Sequence, residues 1–393
     1  MHPRNIVVMP GDGIGKALLP EALRVLDAAG FRADYVHADI GWEFWCREGN
    51  PLPLRTLELL EKHRVGLFGA ITSKPKDQAD QELDPGLKGK GFVYYSPIVA
   101  LRQHFNLDVC LRPCRTFEGN PLNFVKRSGD RVFEPAIDVV VFRQNTEGLY
   151  SGVEWTNPPP EVRSALETHP KMAVFKSTPS EQMAISCRII TQKACRRIVS
   201  EAFQYARRYG YKSVTVCEKP NILRETSGMM RREAMSIAAG FPDIELWETN
   251  IDAQMMWLNK NPEDYGVIVT SNMFGDIISD AFSGLVGGLG FANSANLGET
   301  CAIFEPTHGS APKYQDFVPS IVNPIAMILS ACLMLDYLGD PERANRIRSA
   351  ISAVIHEGKV RTYDMLRMTG GPGVIARGAA STQAMTDAVI ERL

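Results

Sequence analysis

Apolar, β-branched runs alternate along the chain with segments in which apolar residues recur at helical spacing. The runs predict buried strands at 6–9, 65–68, 107–111, 137–143, 213–217, 265–270 and 301–304. The spaced segments predict helices at 18–29, 54–63, 97–103 and, as the longest, about 181–208. The alternation of the two kinds predicts an α/β protein whose sheet is substantially parallel.

Two polar stretches interrupt this pattern. Residues 74–91 are rich in Gly, Pro, Lys and Asp and predict a long loop, and loops of that length often carry function. Residues 157–170 begin with Asn-Pro-Pro-Pro and predict a second irregular segment. A chain of 393 residues exceeds what one core usually absorbs, so two domains are expected. We divide it into a large domain of 1–107 plus 287–393 and a small domain of 108–286.

Composition narrows the class of protein. Hydrophobic residues make up 45%, charged residues 22%, and the net charge is -2, which gives no overall attraction to nucleic acid or anionic membrane. The apolar run before Gly11 is shorter than a signal peptide needs, and no segment reaches the roughly 20 apolar residues of a membrane span. The eight cysteines are scattered, which favours reduced thiols over a zinc site or a disulfide framework. We therefore expect a cytoplasmic protein with no nucleic-acid or membrane partner.

A glycine turn, Gly11-x-Gly13-x-Gly15, follows the first predicted strand and opens a helix. That context suits phosphate binding at a helix N-terminus. The spacing is not that of the dinucleotide fingerprint G-x-G-x-x-G, so a tight turn is the favoured role.

Several basic side chains lie at the ends of predicted elements. Arg102 closes the helix at 97–103, while Arg112 and Arg143 end strands, and Tyr150 follows closely. Three such arginines can fork onto carboxylates, or they can be unrelated surface residues. Lys219 follows the strand at 213–217, where active sites of α/β proteins lie, and is either a general base or a solvated loop residue.

Asp276 and Asp280 are spaced i, i+4 after the strand at 265–270. On a helix they share one face and repel each other unless a cation lies between them. Their spacing fits a metal site and fits equally an Asp at a helix N-terminus with an exposed neighbour.

The segment from Glu305 to Tyr314 is a dense polar loop with a ring, hydroxyls, glycine backbone and a lysine. This inventory can hold an adenosine phosphate, or it can form a turn-rich connector.

Taken as a set, these motifs resemble the β-decarboxylating dehydrogenases, which comprise isocitrate, isopropylmalate and homoisocitrate dehydrogenases. The resemblance covers essentially the whole chain. It implies their fold, two α/β domains with parallel-rich sheets and without a standard Rossmann motif. The matching motifs are Gly11-Asp-Gly-Ile-Gly15, Leu111-Arg-Pro113, Arg143-Gln-Asn-Thr-Glu-Gly148 with Tyr150, Gly275-Asp276-x-x-x-Asp280, Gly284-Leu-Val-Gly-Gly-Leu-Gly290 and Glu305-Pro-Thr-His-Gly-Ser-Ala-Pro312.

The resemblance implies a catalytic pair and a substrate site. Lys219 would assist removal of the substrate's hydroxyl proton, and Tyr150 would protonate the enolate that remains after CO₂ departs. The residues implied at the substrate are Ser96, Arg102, Arg112, Arg143 and Asn221.

It also implies a metal and a second subunit. Asp252, Asp276 and Asp280 would hold Mg²⁺ or Mn²⁺ against the substrate's hydroxyl and carboxylate. In such enzymes the residues that match Lys219 and Asp252 come from the partner subunit. A homodimer with shared active sites is therefore implied.

Two segments point to NADP rather than NAD. Lys313 and Tyr314 stand where NAD-dependent relatives usually carry Asp-Ile, and they favour a 2′-phosphate that an Asp would repel. Tyr363 and Arg367 repeat a spacing seen in bacterial NADP-dependent isocitrate dehydrogenases. The coenzyme residues implied are Thr72, Glu305, His308, Gly309, Ser310, Ala311, Lys313, Tyr314, Asn323 (near the adenine), Tyr363 and Arg367.

The substrate follows from the segment that reads the group on C3 in this family. Isocitrate enzymes usually show Ser-x-Asn there, but Ile98 follows Ser96 and Pro97, as in fungal homoisocitrate dehydrogenases. We expect NADP- and metal-dependent oxidative decarboxylation of a 3-substituted malate, isocitrate or homoisocitrate-like, to a 2-oxo acid and CO₂.

Two alternatives stay open. Glu218 and Pro220 replace the usual His and Ala around Lys219, and Glu218 would favour the protonated lysine. Lysines 74, 76, 88 and 90 crowd the loop before Ser96, which would suit a phosphonate analogue such as 3-(phosphonomethyl)malate. The second alternative is a non-catalytic regulatory subunit, against which the intact catalytic and metal residues argue.

Overall fold

The computed structural model describes residues 4–393, apart from the side chain of Lys76. Strands and helices alternate along the chain. The strands are β1 (Arg4–Gly11), β2 (Ala33–His37), β3 (Val65–Ala70), β4 (Val109–Arg115), β5 (Lys126–Ser128), β6 (Arg131–Phe133), β7 (Asp138–Gln144), β8 (Glu154–Thr156), β9 (Ala184–Ser186), β10 (Ser213–Glu218), β11 (Glu245–Asn250), β12 (Val267–Thr270), β13 (Asn293–Leu297) and β14 (Ala302–Pro306).

In the described chain, ten of the helices lie between these strands and three follow the last strand. They are α1 (Gly15–Ala28), α2 (Trp42–Glu48), α3 (Leu54–His63), α4 (Lys76–Gln81), α5 (Pro97–His104), α6 (Pro160–Glu167), α7 (Gln192–Tyr209), α8 (Thr226–Ala238), α9 (Ile251–Trp257), α10 (Asn272–Leu285), α11 (Ile325–Tyr337), α12 (Pro341–Glu357) and α13 (Thr382–Ile390).

Ten strands form one continuous sheet in the order β11-β10-β12-β7-β4-β13-β14-β3-β1-β2. Neighbours are parallel on both flanks, and antiparallel pairing is confined to the three contacts made by β4 and β13. The predicted α/β class and largely parallel sheet are confirmed. Strands β3, β10 and β12 are buried along their whole length, which explains their continuous apolar runs.

The sheet does not divide into the two sheets that the resemblance implied. Strand β4, from the predicted small domain, pairs with β13, from the predicted large domain, through three residue pairs. One hydrogen-bonded sheet therefore crosses the proposed domain boundary. The division at residues 107 and 287 remains a prediction.

Three sequence expectations were wrong in detail. The longest helix, α7, begins at Gln192 rather than near residue 181, because the Thr191 hydroxyl caps it by accepting from the Ala194 N–H at 3.3 Å. The chain before it forms β9, which pairs with β8. The loop at 74–91 contains α4, and the stretch at 157–170 contains α6, which starts at a proline suited to a first helical turn.

Helix α11 and most of the cysteines belong to the buried interior of the protein. Helix α11 is almost entirely buried and apolar, but it has 13 residues, and no helix in the described chain is both long and apolar enough to span a membrane. All eight cysteines are free thiols, and burial is complete or nearly so at six of them.

Candidate active site

Two arginines lie on one face of the sheet beneath helix α10. In the antiparallel pair β4–β7, Cys110 lies directly opposite Arg143, so their side chains are on the same face of the sheet. Arg112 is two residues after Cys110 on β4 and therefore points to that face as well. A Cβ on Gly275 would lie only 2.6 Å from the Cβ of Arg143, so the glycine lets α10 approach the strand. Two of the three predicted arginines are thus brought together.

Arg112 connects the two predicted metal ligands. Its Nη1 donates to Oδ1 of Asp276 and to Oδ1 of Asp280, both at 3.2 Å, and to the hydroxyl of Ser279 at 2.8 Å. The i, i+4 aspartates therefore share one face of α10, as their spacing predicted, and a buried guanidinium lies beside them.

Arg143 reaches the same carboxylate. Its Nη1 donates to Asp276, and its Nε donates to Oδ1 of Asn272 at 2.9 Å. Burial, together with the charge of Arg112, lowers the pKa of Arg143 to about 10, so it remains a cation at neutral pH. Two buried guanidiniums this close require anions around them, which suits a polycarboxylate.

Tyr150 lies at the edge of this cluster. Its hydroxyl donates to Oδ2 of Asp276 at 3.3 Å, and the Arg143 guanidinium lies 5.7 Å from its ring centre. Burial and the negative charge of Asp276 raise the pKa of Tyr150. The phenol therefore keeps its proton at neutral pH and can act as a donor.

The donor set at α10 fits a divalent cation. Carboxylate oxygens are the ligands that Mg²⁺ and Mn²⁺ prefer, and Asp276 and Asp280 present them side by side. Burial, with the charge of Asp276, raises the pKa of Asp280 against the opposing effect of Arg112, so a nearby cation would stabilise its ionised form. Asp252 does not join them, and residues 4–393 contain no cluster of three His, Cys, Asp or Glu side chains.

Asp252 pairs instead with Lys219. The strands β10 and β11 are parallel neighbours, and each residue follows the end of its strand. The Lys219 Nζ donates to Oδ1 of Asp252 at 2.5 Å, and this hydrogen bond lowers the pKa of Asp252. The chain thus carries two separate groups of predicted site residues, one at α10 and one at the ends of β10 and β11.

Glu218 does not pair with the lysine that follows it. Its buried carboxylate accepts hydrogen bonds from Arg188 and Ser227 and from the backbone of Ser271. Glu218 was expected to favour the protonated form of Lys219, but the two side chains do not form a direct ion pair. Asn221 is exposed in the following turn.

Arg102, the third of the predicted arginines, is held by a different set of partners. It donates to Oε1 of Glu305 at 3.0 Å and to Oδ1 of Asn296 at 3.1 Å, and both partners are buried. Glu305 was expected at the coenzyme, but its carboxylate also accepts from the Asn296 amide. In this chain Glu305 therefore positions Arg102.

The glycine turn has a structural role. Gly11 and Gly13 have positive φ, and a Cβ on Gly13 would lie 2.1 Å from the carbonyl oxygen of Ser310. The N–H groups of Asp12 and Ile14 are bonded to backbone carbonyls, which leaves them unavailable to a phosphate. The favoured tight-turn interpretation agrees with this geometry.

That turn holds two predicted coenzyme residues together. Thr72 donates its N–H to Asp12 at 2.8 Å, and its hydroxyl lies 2.6 Å from that of Ser310. Burial raises the pKa of Asp12, which also accepts from the backbone of Trp42.

The loop before Ser310 carries a half-buried histidine. His308 Nδ1 lies 3.0 Å from the carbonyl oxygen of Gly309, and its Nε2 is buried without a partner. Burial lowers the pKa of His308. Gly309 is exposed, and Ala311 adopts a left-handed backbone conformation. An unpaired buried ring nitrogen is a feature that a bound ligand could satisfy.

Lys313, Tyr314 and Tyr363 form one cluster, in which the two rings are tilted by 53°. The Lys313 Nζ lies 4.8 Å from the Tyr314 ring centre, and the rings of Tyr314 and Tyr363 are 5.5 Å apart. The two segments from which NADP was argued are therefore in contact. Arg367, four residues on, is exposed and donates to the carbonyl of Pro121 at 2.8 Å.

Asn323 is buried, and its polar atoms are used internally. Its amide donates to Asp364 at 3.1 Å, and its carbonyl oxygen accepts from the N–H of Ile325 at 3.1 Å. It therefore fixes the start of α11 relative to the segment that bears Tyr363.

The lysines of the loop before Ser96 differ in whether they have a partner. Lys74 pairs with Glu82 at 2.5 Å and stacks over Trp42, whereas Lys88 and Lys90 are exposed. The side chain of Lys76 lies outside the described residues. Ser96 is half-buried and precedes α5, at whose other end Arg102 lies.

The sequence model of the "Isocitrate/isopropylmalate dehydrogenase" family matches residues 5–389. The chain belongs to this family. Members are β-decarboxylating dehydrogenases of hydroxy acids with a further carboxylate, and they generally use a divalent metal and a nicotinamide coenzyme.

Relatives within the isocitrate/isopropylmalate dehydrogenase family differ in substrate. The chain is 36% identical over 389 residues to the isocitrate/homoisocitrate dehydrogenase of Thermus thermophilus, covering 99% of this chain and 98% of that one. It is 38% identical over 360 residues to the 3-isopropylmalate dehydrogenase of Methanothermobacter thermautotrophicus, covering 92% and 93%. It is 37% identical over 391 residues to protein DlpA of Legionella pneumophila, covering 99% of this chain but only 58% of DlpA.

A solved member of the family has the same fold. The crystal structure of isocitrate dehydrogenase from Methylococcus capsulatus superposes with a TM-score of 0.80 at 34% sequence identity, covering 99% of both chains. The predicted family and fold are thereby confirmed.

Some polar residues that hold this family's motifs in place here were not found from the sequence. Asn296 accepts from Arg102 and from Asn145, and Asn272 holds Arg143. Arg188 contacts Glu218 and Ser271. These contacts join residues that are 30 to 194 positions apart in the sequence, so no local pattern marked them.

Proposed function

We propose that this chain catalyses the NADP-dependent, Mg²⁺- or Mn²⁺-dependent oxidative decarboxylation of an isocitrate- or homoisocitrate-like malate, as a cytoplasmic homodimer. One observation carries the proposal: a single nitrogen of buried Arg112 lies 3.2 Å from both Asp276 and Asp280. A buried cation that can bind a substrate carboxylate therefore lies beside two carboxylates that can bind a metal.

The side chains divide the work. Arg112 and Arg143 would bind the substrate's carboxylates by charge-assisted hydrogen bonds. When bound, the divalent ion supplies Lewis-acid stabilisation of negative charge on the substrate oxygen. Lys219, in its neutral amine form and held by Asp252, would accept the hydroxyl proton as hydride leaves for the nicotinamide, and Tyr150 would return a proton to the carbon that loses CO₂.

Lys219 and Asp252 would serve the active site of the partner subunit. Their separation from Asp276 and Asp280 within one chain supports this arrangement, because the three aspartates do not meet in residues 4–393. The proposed active site is then complete only in the dimer.

The preference for NADP rests on the hydrogen-bond donors of the Lys313–Tyr314–Tyr363 cluster. A cation and two phenols offer donors to a 2′-phosphate, and the two segments that supply them are in contact. The C3 substituent is read at Ser96, whose hydroxyl favours a polar group over a purely apolar one.

The decisive experiment mixes purified protein with Mn²⁺, NADP and each of a panel of 3-substituted malates. The panel contains isocitrate, homoisocitrate, 3-isopropylmalate and 3-(phosphonomethyl)malate. We expect NADPH formation with isocitrate or homoisocitrate and equimolar CO₂. Absence of NADPH with every acid would refute the proposal, and Mn²⁺ and substrate binding without turnover would identify a regulatory subunit.

A further inference from the structure

The carboxylate of Glu218, the residue directly before Lys219, accepts three hydrogen bonds. It is the last residue of β10 and is 1% exposed. Its Oε2 accepts from Arg188 Nη2 at 2.9 Å and from the Ser227 hydroxyl at 2.5 Å. Its Oε1 accepts from the backbone N–H of Ser271 at 2.7 Å. All three contacts link it to other elements of the fold.

Arg188 binds Glu218 and also the hydroxyl groups around it. Its guanidinium donates to the hydroxyls of Thr226, Ser227 and Ser271 at 2.7, 3.0 and 2.9 Å, as well as to Glu218. Its guanidinium also lies 5.2 Å from the ring centre of Phe274. Only the planar fork of an arginine can reach four such acceptors at once.

The pair fixes the backbone of Lys219. The hydroxyl of Ser227, which donates to Glu218, accepts the N–H of Lys219 at 3.3 Å. Because successive side chains of a strand point to opposite faces, Glu218 is directed into the protein while Lys219 extends to Asp252. Glu218 therefore anchors the strand end from which the lysine projects.

The pair also fixes the start of α10. Ser271 precedes the helix, and both its N–H and its hydroxyl are bound, by Glu218 and Arg188 respectively. The next residue, Asn272, is held from the opposite side by Arg143. Asp276 lies one turn further along, so its position depends on this double attachment.

We propose that Glu218 and Arg188 are positioning residues, an ion pair between a buried carboxylate and a largely buried guanidinium that sets Lys219 relative to the aspartates of α10. The inference rests on the proposed function, because it assigns those groups to catalysis. In the proposed dimer, Lys219 faces the partner's site while Asp276 and Asp280 face their own. The pair then lies at the junction between the two active sites.

The first test is Glu218→Gln, which keeps the shape and removes the charge. We expect kcat to fall by about 10- to 100-fold, the loss typical when a residue supporting an active-site group is changed. KM for the acid should stay within about three-fold, because the binding arginines are not touched. The matched control is Glu233→Gln, another buried glutamate paired with an arginine, Arg196, away from the candidate active site. Its kcat should equal that of the wild type.

A double variant, Glu218→Gln with Arg188→Met, separates positioning from stability. Removing both charges eliminates the uncompensated buried cation, so Tm should recover toward the wild-type value. We expect kcat to remain low, because Ser227 and Ser271 have lost the Arg188 guanidinium and a neutral amide has replaced the carboxylate that they bound. Recovery of kcat together with Tm, or an unchanged kcat in the single variant, would overturn the proposal.

Hydrogen exchange gives a readout that needs no substrate. The backbone amide hydrogens of Ser271 and Lys219 should exchange at least about ten times faster in the double variant than in the wild type. Because the two proteins are expected to have similar Tm values, the difference would report local opening rather than global unfolding. Unchanged exchange there would overturn the positioning role. If the wild type turns over no acid in the panel, the proposed function fails, while this exchange measurement still decides whether the pair holds both elements.

Discussion

The ammonium of Lys219 donates to the carboxylate of Asp252 at 2.5 Å across the ends of two adjacent parallel strands. The lysine side chain is 22% exposed and the aspartate 68%, so the pair projects from the surface of the chain. The two groups therefore reach any active site as a unit, with the lysine's charge balanced by its neighbour.

Replacing Lys219 by Met should remove the proposed base without altering the fold. We expect kcat to fall by about 10²- to 10⁴-fold, the usual contribution of a positioned proton acceptor, with NADP binding retained. Stopped-flow turnover and coenzyme titration measure the two effects. Lys260→Met, an exposed lysine just beyond the same Asp252 helix, is the control and should behave as wild type. Normal turnover in Lys219→Met would contradict the assigned role.

Tyr150→Phe removes a single hydroxyl whose one polar contact is to Asp276. We expect kcat to fall by about 10²-fold or more, because proton return to the product carbon slows, while KM changes little. Tm should stay unchanged, since the side chain is exposed. Product formation in D₂O, followed by NMR, reports the protonation directly. A variant that retains full kcat would show that another group supplies the proton.

Arg112→Lys keeps the charge but removes the planar guanidinium, whose Nη1 contacts Asp276, Ser279 and Asp280. We expect KM for the acid to rise by about ten-fold or more, because a lysine ammonium cannot bind a substrate carboxylate through two parallel N–H donors. Arg115→Lys, on the same strand but the opposite face, is the matched control. Steady-state kinetics measure both variants, and an equal KM in the two would argue against Arg112 as a substrate ligand.

Exchanging Lys313 for Asp and Tyr314 for Ile should move coenzyme preference toward NAD. An aspartate repels a 2′-phosphate and accepts from a ribose diol, so we expect the kcat/KM ratio of NADP to NAD to fall by about ten-fold or more. Tm should also drop, because the Tyr314–Tyr363 contact is lost. Lys313→Met is the control, and it should weaken NADP use without improving NAD use. An unchanged ratio in the double exchange would refute the NADP argument.

Acid should destabilise the loop that contains His308. Burial lowers the pKa of His308 below its ordinary value near 6.5, so the unfolded chain binds a proton more readily than the folded one. Stability from this residue is thus present above pH 6.5 and declines as the pH falls below that value. Tm measured from pH 8 to pH 5 should fall less steeply in His308→Gln than in the wild type, and parallel curves would contradict this.

The strands with continuous apolar runs could be predicted because their signal is local, whereas β2, β11 and β13, which lack such runs, were not predicted. Runs of β-branched residues that are buried on both faces stand out in the sequence, and β3, β10 and β12 match them. The start of α7 could not be predicted in the same way. The stretch before it is held by pairing of β9 with β8, about 30 residues earlier, and a local pattern does not contain that contact.

The site residues show the same division. Asp276 and Asp280 share a face because their spacing is helical, which the sequence contains. The direction of Glu305 depends on Arg102, two hundred residues away, so its assignment to the coenzyme did not anticipate the ion pair that it forms. Long-range polar contacts of this kind are set by the packed fold rather than by neighbours in the chain.

The three residue pairs between β4 and β13 have a consequence for dissecting the protein. Excising residues 108–286 as an independent unit would leave the backbone of β4 unpaired along one side, next to the buried apolar side chains of Val109 and Leu111. An open, apolar strand edge of that kind recruits other chains. Fragments cut at the proposed boundary should therefore aggregate, and shuffling segments between relatives should succeed only when the β4 and β13 sequences are exchanged together.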